Sequence, residues 1–174
     1  MNKIYINHFV YGDFKRQPSQ LSSEEVGKFY DNFVPVSVDV VPMIVEPTGK
    51  KVLLGLRREE PKTWWTIGRG MVPGEAPSET ASRALYEEFG INAEINIFNF
   101  VCINSSVFAL RRQLPEKNGR QCLTLVFSLE VKPEEMNYFV FQSEKYHEVR
   151  WILQSEAINN ESFDLNIRAA ISQL

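Results

Sequence analysis

The fold this sequence predicts is an α/β/α sandwich around a mixed β-sheet. Three observations predict it: strands outnumber helices, two strands are joined by a hairpin, and helical segments fall between groups of strands.

Taken in chain order, Ile4–Gly12 alternates apolar and polar residues as a strand does, and the turn-rich Arg16–Gln20 follows it. Leu21–Phe33 reads as a helix. Ser22 or Ser23 can cap it, Glu24 and Glu25 suit its positive end, and Val26, Phe29, Tyr30 and Phe33 recur at helical spacing. Two β-branched runs, Val36–Val45 and Lys51–Leu56, flank Pro47-Thr48-Gly49-Lys50 as the strands of a hairpin. Pro42 cannot donate a ladder hydrogen bond, so it is expected at a bulge or on a sheet edge.

The segment Trp64–Glu75 is a glycine-rich loop. It leads into a helix over Pro77–Phe89, with proline in the first turn and Gly90 just past the end. Further strands are expected at Ile95–Ile103, Leu123–Val131 and Glu148–Ile152, and a last helix at Phe163–Gln173. One domain spanning 1–174 is expected, with 1–34 as an N-terminal strand-helix extension.

Composition narrows the function classes. Nineteen Lys and Arg against 22 Asp and Glu give a formal net charge of −3, which argues against nucleic acid as a partner, since phosphate backbones call for clustered cations. The basic groups at Arg57-Arg58 and along Arg111–Arg120 read as solvated loop charge. No apolar run approaches the roughly 20 residues of a spanning helix, so no membrane partner is expected. The opening residues lack the apolar core and cleavage site of a signal peptide, which makes the cytoplasm the expected compartment. Cys102 and Cys122 lie in apolar runs and are expected as free buried thiols.

The chemistry concentrates in the loop and the helix after it. At about 100° per residue, Ala81, Leu85 and Phe89 share the face that packs on the sheet, while Glu87, Ala84 and Glu88 lie on the flank beside it. Glu75 joins them from the loop. Surface charge is one explanation of these carboxylates, with Glu75 near a helix N-terminus and Glu87 four residues after Arg83. A site for a hard cation is the other, because Mg²⁺ takes oxygen ligands and is commonly held by one or two carboxylates with substrate phosphates.

Gly74-Glu75, then seven residues, then Arg83-Ala84-Leu85-Tyr86-Glu87-Glu88-Phe89-Gly90-Ile91 resembles the box of the Nudix hydrolase family, G-x5-E-x7-R-E-U-x-E-E-x-G-U with U aliphatic. The resemblance implies a Nudix-type sandwich and a divalent cation, magnesium or in its place manganese. It also implies a small-molecule nucleotide substrate in which a nucleoside diphosphate is linked to another group. On the same ground Glu87, Glu88, the Gly68 carbonyl and Glu75 match the metal site, and Arg83 orients the carboxylates. A homodimer is expected, with the first 20 residues able to supply a swapped strand.

Two positions depart from the box: its first glycine is Arg69 and its first helical glutamate is Ala84. Alanine neither ligates metal nor transfers protons. A branch similar to GDP-mannose mannosyl hydrolase also lacks that glutamate and attacks the sugar carbon, and the flanking text from about 21 to 155 resembles it. In that branch's pattern Asp39, Arg57 and Arg69 become substrate contacts, Arg57 steadying the diphosphate leaving group. Gln121 stands where the branch has a histidine and cannot act as a base; His147 and Glu148 are the replacement candidates. Three readings stay open: hydrolysis at the sugar carbon, pyrophosphatase cleavage at phosphorus, and a nucleotide-sugar-binding module with impaired catalysis.

Overall fold

The computed structural model of the chain describes residues 6–58, 62–142 and 144–174. Helix α1 (Ser23–Asn32) leads into the hairpin β1 (Val36–Glu46) and β2 (Gly49–Arg57). Two short strands follow, β3 (Trp64–Trp65) and β4 (Ile67–Gly70), then helix α2 (Pro77–Phe89). Strands β5 (Asn99–Phe108), β6 (Arg120–Glu130) and β7 (Tyr146–Leu153) complete the sheet, and helices α3 (Gln154–Asn159) and α4 (Leu165–Ile171) close the chain. The sheet runs β3-β2-β1-β6-β5, with β4 added to β1 and β7 added to β2. The β1/β6 pair is parallel and the others are antiparallel, so the sheet is mixed as expected.

Pro42 marks the feature that creates the site. It lies on neither an edge nor a bulge: β1 is central and pairs with β6 from Val36 to Met43. On its other side β1 pairs with β2 only over Met43–Glu46 and with β4 over Ser37–Val40. The missing N–H of Pro42 therefore falls where one neighbour ends and the other begins, which relieves the conflict that bars proline from most central strands. Below it the two hairpin strands splay apart. The segment carrying β3 and β4 fills the wedge, β3 against β2 and β4 against β1.

Alternation along the strands separates two cores. Val38, Val40, Leu53 and Phe127 pack with Ala81, Leu85 and Phe89 of α2 on one face. Val41, Val52, Leu54 and Val126 pack with Ala157, Ile167 and Ile171 of α3 and α4 on the other. Burial of Leu85 and Phe89 stabilises the α2 face by about 1.5–3 kcal/mol each.

Several expectations are corrected. Residues 6–20 form no strand; Phe9, Val10 and Tyr11 are 70%, 58% and 87% exposed, and their alternation finds no neighbouring backbone to pair with. Ile4 and Tyr5 lie outside the described residues. The α1 capping box forms on Ser22 and Glu25, yet Phe29 and Phe33 stay exposed and only Gly27 is buried. The strand expected from Ile95 begins at Asn99, because Ile95 and Ile97 sit in an exposed turn and pairing with β6 starts at Asn99. Helix α3 was not foreseen, and the last helix is shorter than expected, with Asp164 as its cap. No helix among the described residues is long and apolar enough to cross a membrane. Both cysteines are free thiols and are half-buried.

Candidate functional site

The α2 junction forms where the sequence places it. Pro77 opens the helix, Glu79 accepts from the Ala76 N–H at 2.7 Å, and Gly90 ends it in the left-handed conformation at φ 71°, which glycine adopts without strain. Arg83 then fastens the loop to the helix. Its guanidinium donates to Glu75 at 2.8 and 2.9 Å, to the Gly70 carbonyl at 2.9 Å and to Glu87 at 3.1 Å. Thr80 donates to the same Glu75 at 2.7 Å. Burial opposes ionisation of Glu75, but the bonds from Arg83 and Thr80 hold its carboxyl below the ordinary value.

Glu88, in the last turn of α2, is 0% exposed, and a buried carboxylate requires a partner. The guanidinium of Arg69 donates to Glu88 and, at 2.5 Å, to Glu87. Lys145, entering from the segment before β7, donates to the Gly68 carbonyl at 2.6 Å and lies 3.6 Å from Glu88. Gly68, Glu87 and Glu88 therefore converge as the sequence implies, and two side-chain cations sit on them. Burial opposes ionisation of Glu87 too, and the bonds from Arg69 and Arg83 outweigh it, so its carboxyl is held low. Burial, followed by the nearby Arg69 charge, brings the Lys145 ammonium down to about 8 despite Glu88 and Asp39.

Across β4 from this cluster lies a cavity of about 270 Å³, lined by Asp39, Arg57, Trp65, Gly68, Arg69, Arg120 and Lys145 among others. Asp39 forms part of its floor. It is 7% exposed, accepts from the Thr66 hydroxyl, and is pushed up by burial against the opposing pull of Thr66, Lys145 and Arg57. Gly68 faces it in register, and a Cβ there would run into the Asp39 carboxylate and lie 2.7 Å from the Val38 carbonyl. Only glycine permits this approach. Arg57 lies over the Trp65 ring at 5.4 Å, and Arg120 over Phe108 at 5.1 Å, which holds both guanidiniums at the cavity wall. Trp64, by contrast, packs edge-on to Phe163 in the α4 core.

The structure thus brings Asp39, Arg57, Gly68 and Arg69 together around one cavity, with Glu75, Arg83, Glu87 and Glu88 behind it. It does not bring in the two remaining candidates. Gln121 is exposed, donates to Ser105 at 3.1 Å, and lies in an adjoining groove that shares Tyr30, Phe108 and Arg120 with the cavity, on the strand face opposite Arg120 and Cys122. Glu148 lies on the same face of the sheet as the cavity, but it is outside the cavity lining: it pairs with Arg150, whose guanidinium covers Trp64. His147 is exposed.

Lys145, Arg120 and Thr66 were missed. Arg120 was legible in principle, since Arg120, Cys122 and Thr124 share a strand face. Lys145 carried no local signal. The reading of Arg111–Arg120 as solvated charge is also corrected: Arg111 is 6% exposed and holds Asp31 of α1 at 2.6 and 3.2 Å.

The NUDIX domain family model matches residues 35–173, and the chain belongs to that family. A search of the curated proteins found no match. Among solved structures, the E. coli dihydroneopterin triphosphate pyrophosphohydrolase is similar at TM-score 0.60 and 21% identity, over 80% of this chain and 94% of that one. The NUDIX domain of Shewanella oneidensis NrtR, solved with ADP ribose, is similar at TM-score 0.58 and 16% identity, over 84% and 94%. The longer NrtR chain, solved with a 27mer DNA, is similar at 0.56 and 18%, over 79% and 59%. At these identities the likeness is one of fold.

Proposed function

We propose that this chain hydrolyses a nucleoside diphosphate derivative, with a nucleotide sugar, GDP-mannose-like in class, as the substrate its residues favour. One observation carries the reading: Arg57, Arg69, Arg120 and Lys145 converge on a cavity that has Asp39 in its floor and Trp65 in its wall. Cations at this density suit a diphosphate, and the Trp65 and Phe108 rings offer faces to a base or sugar. A bound ADP ribose in the NrtR relative is a precedent for the ligand class.

In this reading water attacks the anomeric carbon and the carbon–oxygen bond to the diphosphate breaks. The electron pair leaves on the nucleoside diphosphate, whose new charge Arg57 and Lys145 stabilise. Asp39 takes the water proton, since burial raises the proton affinity of its carboxyl and Thr66 orients it. Ala84 offers no carboxylate for activating water at phosphorus, which favours attack at carbon. A divalent ion, where one binds in this family, neutralises the diphosphate. Here the expected donors already bond to Arg69 and Lys145, and Glu75 to Arg83, so the set does not fit such an ion.

The binding-module reading is the second one, and Arg69 lying over the donors beside Ala84 favours it. Product analysis separates the readings. Incubation with a panel of nucleotide sugars is expected to yield nucleoside diphosphate and free sugar. Nucleoside monophosphate and sugar phosphate would mean attack at phosphorus, and binding without turnover would mean a module. A homodimer belongs to this reading as well; sedimentation with and without residues 6–20 checks it.

A further inference from the structure

We propose that the phosphate subsite of this chain works without a divalent ion, because the guanidinium of Arg69 and the ammonium of Lys145 occupy the place such an ion would take. The proposal rests on the pocket reading above, for a diphosphate-bearing ligand, and not on turnover.

The charge count supports it. Glu87 and Glu88 contribute two negative charges, and Arg69 and Lys145 contribute two positive ones at hydrogen-bond or ion-pair distance. The Gly68 carbonyl, the neutral donor of the set, accepts from Lys145 at 2.6 Å and from Arg69 at 3.5 Å. A divalent ion entering here would meet two cations within a few ångströms, in a partly buried setting where screening is weak. An entering ion would have to replace the charged hydrogen bonds that Arg69 makes to Glu87 and Glu88 and the one that Lys145 makes to the Gly68 carbonyl.

Donor count points the same way. Mg²⁺ is commonly held by one or two carboxylates, with substrate phosphates and water completing the octahedron, and here both helix carboxylates already accept from protein cations. Ala84 supplies no oxygen ligand, and Glu75 is spent on Arg83 and Thr80. Both Arg69 and Lys145 also line the cavity, so the cations that neutralise the carboxylates are also the ones presented to a ligand. Their donors serve both: guanidinium has five N–H groups and ammonium three.

The experiment has two arms. In the first, ADP, GDP, UDP and CDP are titrated calorimetrically into the protein in EDTA and in Mg²⁺. Dissociation constants equal within about twofold are expected, and Arg69→Gly or Lys145→Met should weaken binding in EDTA by roughly tenfold or more, as loss of a charged hydrogen bond does. In the second, Mn²⁺ is titrated into ligand-free protein and followed by electron paramagnetic resonance and thermal melting. No binding is expected at millimolar Mn²⁺ for the natural chain, whereas the Arg69→Gly, Lys145→Met double variant should bind Mn²⁺ and melt higher in its presence. Nucleotide binding that disappears in EDTA, or tight Mn²⁺ binding by the natural chain that Glu88→Gln removes, would overturn the proposal. Absence of nucleotide binding in both buffers overturns the pocket reading instead, and the Mn²⁺ arm, which needs no nucleotide, then decides the cation question.

Discussion

Two arginines hold carboxylates on the same loop-and-helix junction, in different settings. Arg83 and Glu75 stand where the family motif has them, with side chains 27% and 21% exposed, and their partners all belong to the junction itself. Arg69 stands where the motif has glycine, and its partner Glu88 is 0% exposed. The first pair is a tether reached by solvent, and such pairs contribute modestly. In the second the carboxylate is fully buried at the edge of a cavity, where Arg69 and Lys145 share it and Arg69 also holds Glu87. The contrast shows that this chain keeps the architectural half of the motif while its ligand half is filled by protein cations.

The sharpest way to break that contrast is Glu88→Ala. Removing the buried carboxylate takes away the counter-charge that Arg69 and Lys145 share and leaves them Glu87 and the Gly68 carbonyl, and a loss of about 3 kcal/mol, the low end for a broken buried pair, is expected in urea denaturation. A loss under about 1 kcal/mol would mean that the pair is no more buried in effect than Arg83–Glu75. Gly68→Ala comes next, since the new methyl meets the Asp39 carboxylate and the Val38 carbonyl; about 1–3 kcal/mol is expected, together with weakened nucleotide binding in calorimetry. Arg83→Ala should cost about 0.5–1 kcal/mol by thermal melting while leaving nucleotide affinity within about twofold, because its partners lie in the junction and only its bond to the Gly70 carbonyl reaches the cavity lining. A larger loss of affinity would show that the tether also shapes the pocket.

The smallest effect concerns α1. Hydrogen bonds from Arg111 and Asn118 hold the Asp31 carboxyl below its ordinary value of 3.8. A folded-state value below the unfolded one means that the contribution is complete above pH 3.8 and lost as pH falls through the folded value. Acid titration followed by hydrogen exchange should therefore show α1 loosening below pH 3.8, and Asp31→Asn should flatten that response.

Legibility in the sequence followed the range of the interaction. The hairpin, α2 with both its ends, and the α1 capping box were legible because periodicity, proline, glycine and serine act on near neighbours. The strand expected at Ile4–Gly12 failed in residues 6–12 because alternation marks a chain able to pair, while pairing needs a partner brought by the rest of the fold. Arg111 was misread for the same reason: nothing near it in sequence foretold that Asp31, 80 positions away, would bury it. At the site, Glu75, Arg83, Glu87 and Glu88 were visible through their spacing. Glu148 and Gln121 were placed by analogy; alternation turns Gln121 away from the strand face of Arg120 and Cys122, and the pair with Arg150 holds Glu148 beside Trp64, outside the cavity lining.

By itself the sequence determined where the carboxylates stand and which helix presents them, since helical spacing is a property of a short stretch of chain. Which cation meets them was decided by tertiary structure alone. Arg69 and Glu88 are 19 positions apart, and Lys145 and Gly68 are 77 apart. Only the wedge that opens below Pro42, filled by β3 and β4, brings those groups within hydrogen-bonding reach. Charge pairing acts through space, and no local pattern encodes a distance that the folded sheet creates.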